Sequence, residues 1–298
     1  MSGILTENTA KKIALPRNSN LINYSVLNEF YSPEPYRSFS IKYVVEGSEL
    51  YSVNGNKYVV KDKQYLLANK HSEGFVEVDS KKSVTGICID VAPHILSEVI
   101  ASYLKPDAAI ADLELDTFFN TPSFLENMYS AQHTHLGQYL LQLENMLIHK
   151  IASTSDFNKE FYYTLSEKIV EDHVPVIKQL QNVKAIKLET RKTLYRKLLK
   201  ARYYIADKFN TDLSIELVAR DCGISEYHFF RLFKSAFGIS PHQFLIAQRL
   251  NFAKQLIEKE RPSMTTLAME TGFPDVASFS KSFKKQFGLS PSNYLPKK

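Results

Sequence analysis

The 298-residue sequence predicts an α+β protein: a small N-terminal β-barrel or jelly roll, a helical middle segment and an all-α C-terminal domain. Three observations predict it. Residues 21–91 alternate apolar and polar side chains with a period of two, interrupted by turn residues. Beyond Pro93 the apolar spacing becomes helical. Near the C-terminus, the segment from Gly223 to Leu245 returns about fifty positions later.

In the β part, turns are signalled by Glu46-Gly47, Asn54-Gly55 and Lys61-Asp62. Asn-Gly between Leu50-Tyr51-Ser52-Val53 and Lys57-Tyr58-Val59-Val60 marks a two-residue hairpin, because both turn positions need positive φ. Further strands are expected at residues 64–68, 74–78 and 84–90. Short strands of even spacing suit a barrel. Its interior has room for a small-molecule effector, with Tyr43, Tyr51, Tyr65 and Phe75 as lining. Simple filling of the core by these rings is the competing reading.

No metal and no other cofactor is expected. His71 and Glu73 are the candidate ligands on these strands, and His94 falls beyond Pro93 at a helix start. That is short of the three or four ligands a transition metal takes. His133 and His135, two positions apart, do not share a helix face and read as helix-start chemistry. No catalytic residue and no enzyme activity is expected.

Helices are expected at residues 93–104, 118–131, 136–152 and 157–173. Leu136, Tyr139, Leu140, Leu143, Met146 and Leu147 share one face, which suits either a dimer seam or an intradomain core. Pro175 is expected to end the helix before it, since proline disfavours the α conformation in its predecessor. Residues 174–190 then become the linker, with a sequence that also allows part of it to be helical. The expected division is residues 1–110 as a β sensor domain, 111–173 as a helical segment that can dimerise, 174–190 as linker and 191–298 as the C-terminal domain.

The repeat defines that last domain. Phe229, Phe233, Phe237, Gly238, Ser240, Pro241 and Phe244 reappear as Phe279, Phe283, Phe287, Gly288, Ser290, Pro291 and Tyr294. Two copies are too few for a solenoid, so two modules held by a connecting helix are expected. Each is a helix, a glycine turn and a second helix. Ser214, Ser225, Ser263 and Asp275 stand at the helix starts as caps. In the first copy, Phe229, Leu232, Phe233, Ala236 and Phe237 form a core face. Tyr227, Phe230, Arg231 and Lys234 take the other side. In the second copy that side carries Ala277, Ser280, Lys281 and Lys284.

These residues carry a resemblance. The tail from about Thr193 to Leu295 is similar to the DNA-binding domain of the AraC/XylS transcription regulators. The likeness runs through Ala201-x-x-Tyr204-Ile205, RLFKSAFGISPHQFL, Arg249-Leu250-x-x-Ala253 and GFPDVASFSKSFKKQFGLSPSNYL. It implies a double helix-turn-helix joined by the helix from Pro241 to Lys259. More loosely, it implies that the N-terminal barrel is cupin-like and that the helix following it dimerises. The implied function is sequence-specific recognition of double-stranded promoter DNA by a homodimer controlled through its N-terminal domain. Most relatives activate transcription through RNA polymerase. The alternatives are a cupin-type metal-dependent enzyme fused to a DNA anchor and a non-specific architectural DNA binder.

The resemblance places base contacts on Tyr227, Phe230 and Arg231 in the first module and on Ala277, Ser278, Ser280 and Lys281 in the second. Arg231 is the strongest reader, because a guanidinium pairs bidentately with guanine O6 and N7. Arg220, Lys234, Lys284 and Lys285, with the capped starts at Ser214 and Ser263, are the candidate phosphate contacts. Charge agrees with this division. Residues 191–298 hold 19 Lys and Arg against 9 Asp and Glu, while the remainder holds 18 against 23. A basic domain joined to an acidic one is the footprint of a nucleic-acid binder with a separate regulatory part. Cys88 and Cys222 make no disulfide framework. No secretory pattern and no apolar run long enough for a membrane are present, so a cytoplasmic setting is expected.

Overall fold

The computed structural model describes residues 2–5, 17–103, 112–149, 156–260 and 262–294. Two compact units emerge, Met1–Ile177 and Lys178–Lys298. The expected helix ends at Leu104 and Ala152, the 110/111 boundary and Leu295 lie outside the described residues.

The first unit is built on one nearly closed sheet. Its strands are β1 (Ser2–Leu5), β2 (Leu21–Ser32), β3 (Phe39–Glu46), β4 (Ser48–Val53), β5 (Asn56–Lys61), β6 (Gln64–Ala68), β7 (Val76–Val91) and β8 (Asn127–Ser130). They run in the order β1-β2-β7-β3-β6-β8, with β4 pairing both β5 and β7. Asn54 and Gly55 have φ of 48° and 79°, the two positive values that a type I′ hairpin between β4 and β5 demands. Leu27, Val44, Tyr51, Val53, Val60, Leu66 and Val84 form the inner core. The opposite face is also buried, because helices cover it. Phe39 packs edge-on to Phe119 and Phe124, and Tyr65 stacks on Tyr129 at 5.4 Å.

Three expectations for this unit are corrected. Residues 76–78 and 84–90 belong to one strand, β7, which pairs with β2 on both sides of an irregularity at Ser80–Ser83, where the register shifts. The polarity there reflects exposure rather than a turn. The helix expected over 118–131 ends at Asn120, in α2 (Asp112–Asn120). Pro122 cannot continue it, and Asn127–Ser130 pairs with β6 instead. Last, α4 (Lys159–Asn182) runs straight through Pro175. Losing one helical hydrogen bond there costs about 3 kcal/mol. Val176, Ile177 and Leu180 are all buried on the same helix, and each contributes about 1.5–3 kcal/mol. The segment 174–182, the first part of the expected linker, is therefore helical.

The other helices of this unit are α1 (Pro93–Tyr103) and α3 (His135–Ile148). His135 starts α3 with Thr134 as its cap, and His133 ends the short 3-10 turn Ala131–His133 just before it. Thr134 Oγ1 accepts from Gly137 N at 3.0 Å, and the Asp172 carboxylate accepts from His135 N and Leu136 N at 3.0 and 2.9 Å. On the α3 stripe, Leu136, Leu140 and Leu143 are core, whereas Met146 is exposed.

The second unit contains α5 (Leu188–Lys208), α6 (Ile215–Asp221), α7 (Glu226–Phe237), α8 (Pro241–Glu260), α9 (Met264–Glu270), α10 (Val276–Phe287) and α11 (Pro291–Tyr294). α6–α7 and α9–α10 are the two modules, and α8 connects them. Equivalent rings meet in equivalent ways. Phe233–Phe237 and Phe283–Phe287 centroids are both 4.6 Å apart. The turn glycines Gly223 and Gly272 hold φ of 61° and 75°, a conformation that costs other residues strain. Gly272 has a second constraint, since a Cβ there would sit 3.0 Å from the Asn210 backbone.

Candidate nucleic-acid interface

Each recognition-type helix is fixed from its buried side. In α7, Phe229, Leu232, Phe233 and Ala236 are buried; in α10, Phe279 and Phe283 are. What is left facing water differs. Tyr227 is 74 % exposed and Arg231 is exposed, with the guanidinium 5.7 Å from the Tyr227 ring centroid. Such a stack stiffens a long side chain before any ligand arrives. Lys234 is exposed one turn further on. On α10 the same positions are Ala277, Lys281 and Lys284, all exposed, with Lys285 beside them.

Two of the expected base readers are otherwise engaged. Phe230 is half-buried and packs against Phe229 and, at 5.3 Å, against His242 at the start of α8. Ser278 donates its backbone N–H and its hydroxyl to the Asp275 carboxylate at 2.7 and 2.9 Å, closing the N-terminal cap of α10. Those hydrogen bonds hold the Asp275 carboxyl below its ordinary pKa. Ser280 is half-buried.

Among the caps, Ser214 accepts from Leu217 N at 3.2 Å and Ser263 from Thr266 N at 3.1 Å. Ser225 has cap-like dihedrals but its side chain makes no cap hydrogen bond, a correction to the sequence expectation. Arg220 is exposed in the last turn of α6.

Sequence reasoning missed two positioning groups. Arg249 of α8 is buried and donates to Phe209 O at 2.7 Å and Thr211 O at 2.9 Å, tying the end of α5 to the connecting helix. Burial lowers its pKa. Ser240 and Gln243 form a reciprocal capping box at the start of α8, with bonds of 2.9 and 3.2 Å. The Ser-x-x-Gln spacing carried that signal.

In the first unit the four aromatic residues offered as cavity lining do not converge. The cavity inside the barrel, about 130 Å³, is lined by Tyr51 but not by Tyr43, Tyr65 or Phe75. Tyr43 and Tyr65 point to the helix-covered face, where their hydroxyls meet Glu144 at 2.5 Å and Thr134 at 2.8 Å. Phe75 is half-buried and packs on Tyr31. Strand alternation put Lys42 and Val44, not Tyr43, on the inner side.

The inner side is polar where the cavity lies. Lys42 Nζ donates to Cys88 Sγ at 2.7 Å and lies 3.5 Å from Asp90, which also accepts from Ser40 at 2.6 Å. Burial pushes the Lys42 pKa down, but Asp90 and Cys88 together raise it above its ordinary value. Burial pushes the Cys88 thiol up to about 11 and raises the Glu49 carboxyl.

His71 Nε2 lies 2.8 Å from Asn120 O, and His94 is exposed on α1. Among the described residues no three His, Cys, Asp or Glu side chains cluster as metal ligands. No described helix is long and apolar enough to cross a membrane.

The paired modules on one connecting helix define a DNA-binding domain of the double helix-turn-helix class. Residues 218–297 match the family of helix-turn-helix domains. The C-terminal domain belongs to the AraC type. It is 34 % identical over 91 residues to a probable transcriptional regulator, LumQ, of Photobacterium leiognathi, covering 30 % of this chain and 37 % of that one. It is 31 % identical over 91 residues to the lactose operon transcription activator of Staphylococcus xylosus, covering 30 % and 33 %. The chain thus spans about a third of the length of the curated relatives it matches. Among solved structures, the C-terminal domain of AraT, a response regulator from Geobacillus stearothermophilus, aligns at 31 % identity over 33 % of this chain and 82 % of that chain, with a TM-score of 0.32.

Proposed function

We propose that this chain is a sequence-specific transcription regulator that lays α7 and α10 in successive major-groove segments of promoter DNA. The observation that carries the reading is the duplicated module: matched buried rings, with a basic exposed face left on each copy. Arg231, pre-stacked on Tyr227, reads guanine, while Lys281 with Ala277 and Ser280 makes a lighter contact. Lys234, Lys284, Lys285 and Arg220, with the helix starts at Ser214 and Ser263, hold phosphates and supply the salt-dependent affinity. Arg249 and the Ser240–Gln243 box keep α8 in place, so that the two helices sit about one DNA turn, ~34 Å, apart.

The name of the Staphylococcus relative supports activation as the sign of regulation, with RNA polymerase as the further partner. The barrel unit controls DNA binding, and a homodimer presents two such domains. Selection of binding sites from random DNA with the full chain, followed by footprinting, tests this. A recurring motif protected in two segments one turn apart is expected. Uniform, salt-sensitive binding without a motif would instead leave a non-specific binder.

A further inference from the structure

The inner wall of the barrel carries polar side chains in register. Asn23 on β2 lies opposite Cys88 on β7, and Cys88 lies opposite Lys42 on β3. In the next rank Ser25 faces Gly86. Glu49 and Tyr51 come in from β4, and all of these line the one cavity. Most of their bonding capacity is met within the wall. Lys42 has Cys88 and Asp90, Ser25 donates to Gly86 O, and the Tyr51 hydroxyl donates to Glu49 Oε2.

One group stands apart, and a second is turned toward the cavity side. Asn23 is 4 % exposed, and its Nδ2 has no hydrogen-bond partner. Glu49 Oε1 is turned toward Gly86, where a Cβ would sit 2.8 Å from it. Glycine at 86 is what leaves that oxygen its room. A buried donor with no acceptor is unfavourable in a folded core, so its retention beside a cavity points to recognition.

The chemistry of a matching ligand follows. Its head must accept from Asn23 Nδ2 and donate to Glu49 Oε1. Leu27, Phe30, Pro35 and Val76 supply apolar wall for its body. Of the two cations in the lining, Arg37 donates to Glu34 O and Lys42 is engaged by Cys88 and Asp90. A carboxylate would therefore meet the Glu49 carboxyl without an unengaged counter-charge, and an ammonium would face Lys42 and leave Asn23 unmatched. A cavity of about 150 Å³ holds a benzene ring, so the present one, about 130 Å³, suits a compact molecule. We propose that this cavity binds a small neutral molecule with an apolar body and an amide or lactam head, held between Asn23 and Glu49. The proposal deepens the regulatory reading of the barrel given above and rests on it for its biological role.

The test is calorimetric titration of the full chain with benzamide and hexanamide, beside benzoate and benzylamine. Saturable binding of at least one amide, one per chain, is expected, with benzoate and benzylamine at least ten-fold weaker. Asn23→Ala and Asn23→Ser should each weaken the amide ten-fold or more. Both should leave the thermal unfolding temperature of the protein without probe unchanged or higher, because the group removed has no partner. That pairing separates a binding residue from a structural one. Failure of both amides to bind, equal binding of benzoate, or full affinity in Asn23→Ala each overturns the proposal. Expected binding with no effect on DNA affinity upholds the site and defeats the regulatory reading of the barrel instead.

Discussion

The two helix-turn-helix modules share a skeleton and differ in what they show to solvent. Phe233 and Phe283 are both fully buried, and each meets the next phenylalanine one turn on at 4.6 Å. The positions facing outward have diverged to Tyr227 and Arg231 in one copy and Ala277 and Lys281 in the other. A buried ring is held by several neighbours at once, so its replacement disturbs the whole module. An exposed side chain answers only to what it contacts. The scaffold therefore fixes where each helix lies within its module, and the exposed face is free to diverge.

That comparison can be broken most directly in the core. Phe233→Ala and Phe283→Ala should each cost about 3–5 kcal/mol of stability, measured by denaturant unfolding. Unequal losses would show that the modules are not equivalent supports. On the exposed faces, Arg231→Ala should cost about 1–3 kcal/mol on the selected site and relax base preference there. Lys281→Ala should lose less and leave the preference profile nearly intact. Binding-site selection with both variants checks the asymmetry, and equal relaxation removes it.

The caps sharpen the comparison further. Ser214 and Ser263 bond the first turns of α6 and α9, whereas Ser225 at α7 makes no such bond. Ser214→Ala should then cost about 1 kcal/mol and Ser225→Ala a small fraction of that, as read by thermal unfolding. Smallest is the phosphate term. Lys284→Ala should weaken binding to all sequences alike and lower the salt slope by about one. Sequence-selective loss at constant slope would move Lys284 to the reading face.

Much of this was legible in the sequence because it is local. The Asn54-Gly55 hairpin follows from a dihedral requirement of two residues. The helix starts at Ser214, Ser263 and Asp275 follow from donors a few atoms away. The module repeat follows from 3.6-residue periodicity written twice. Less legible were the surroundings of Phe230, which the periodicity placed on the open face, and of Ser278, which the resemblance placed among the base contacts. The first is drawn back by His242 on another helix, and the second is occupied by its own cap.

By itself, then, the sequence determined the kinds of element, the turn geometry and the duplicated DNA-binding module with its basic face. Only the tertiary structure decided that β7 is one continuous strand, that α4 passes through Pro175, and that Lys42 rather than Tyr43 faces the barrel cavity. The reason is physical. Alternation says that neighbouring side chains point to opposite faces, but here both faces are buried, one inside the barrel and one beneath helices. Which face becomes the interior is settled by contacts between residues far apart in the chain, and no local period records them.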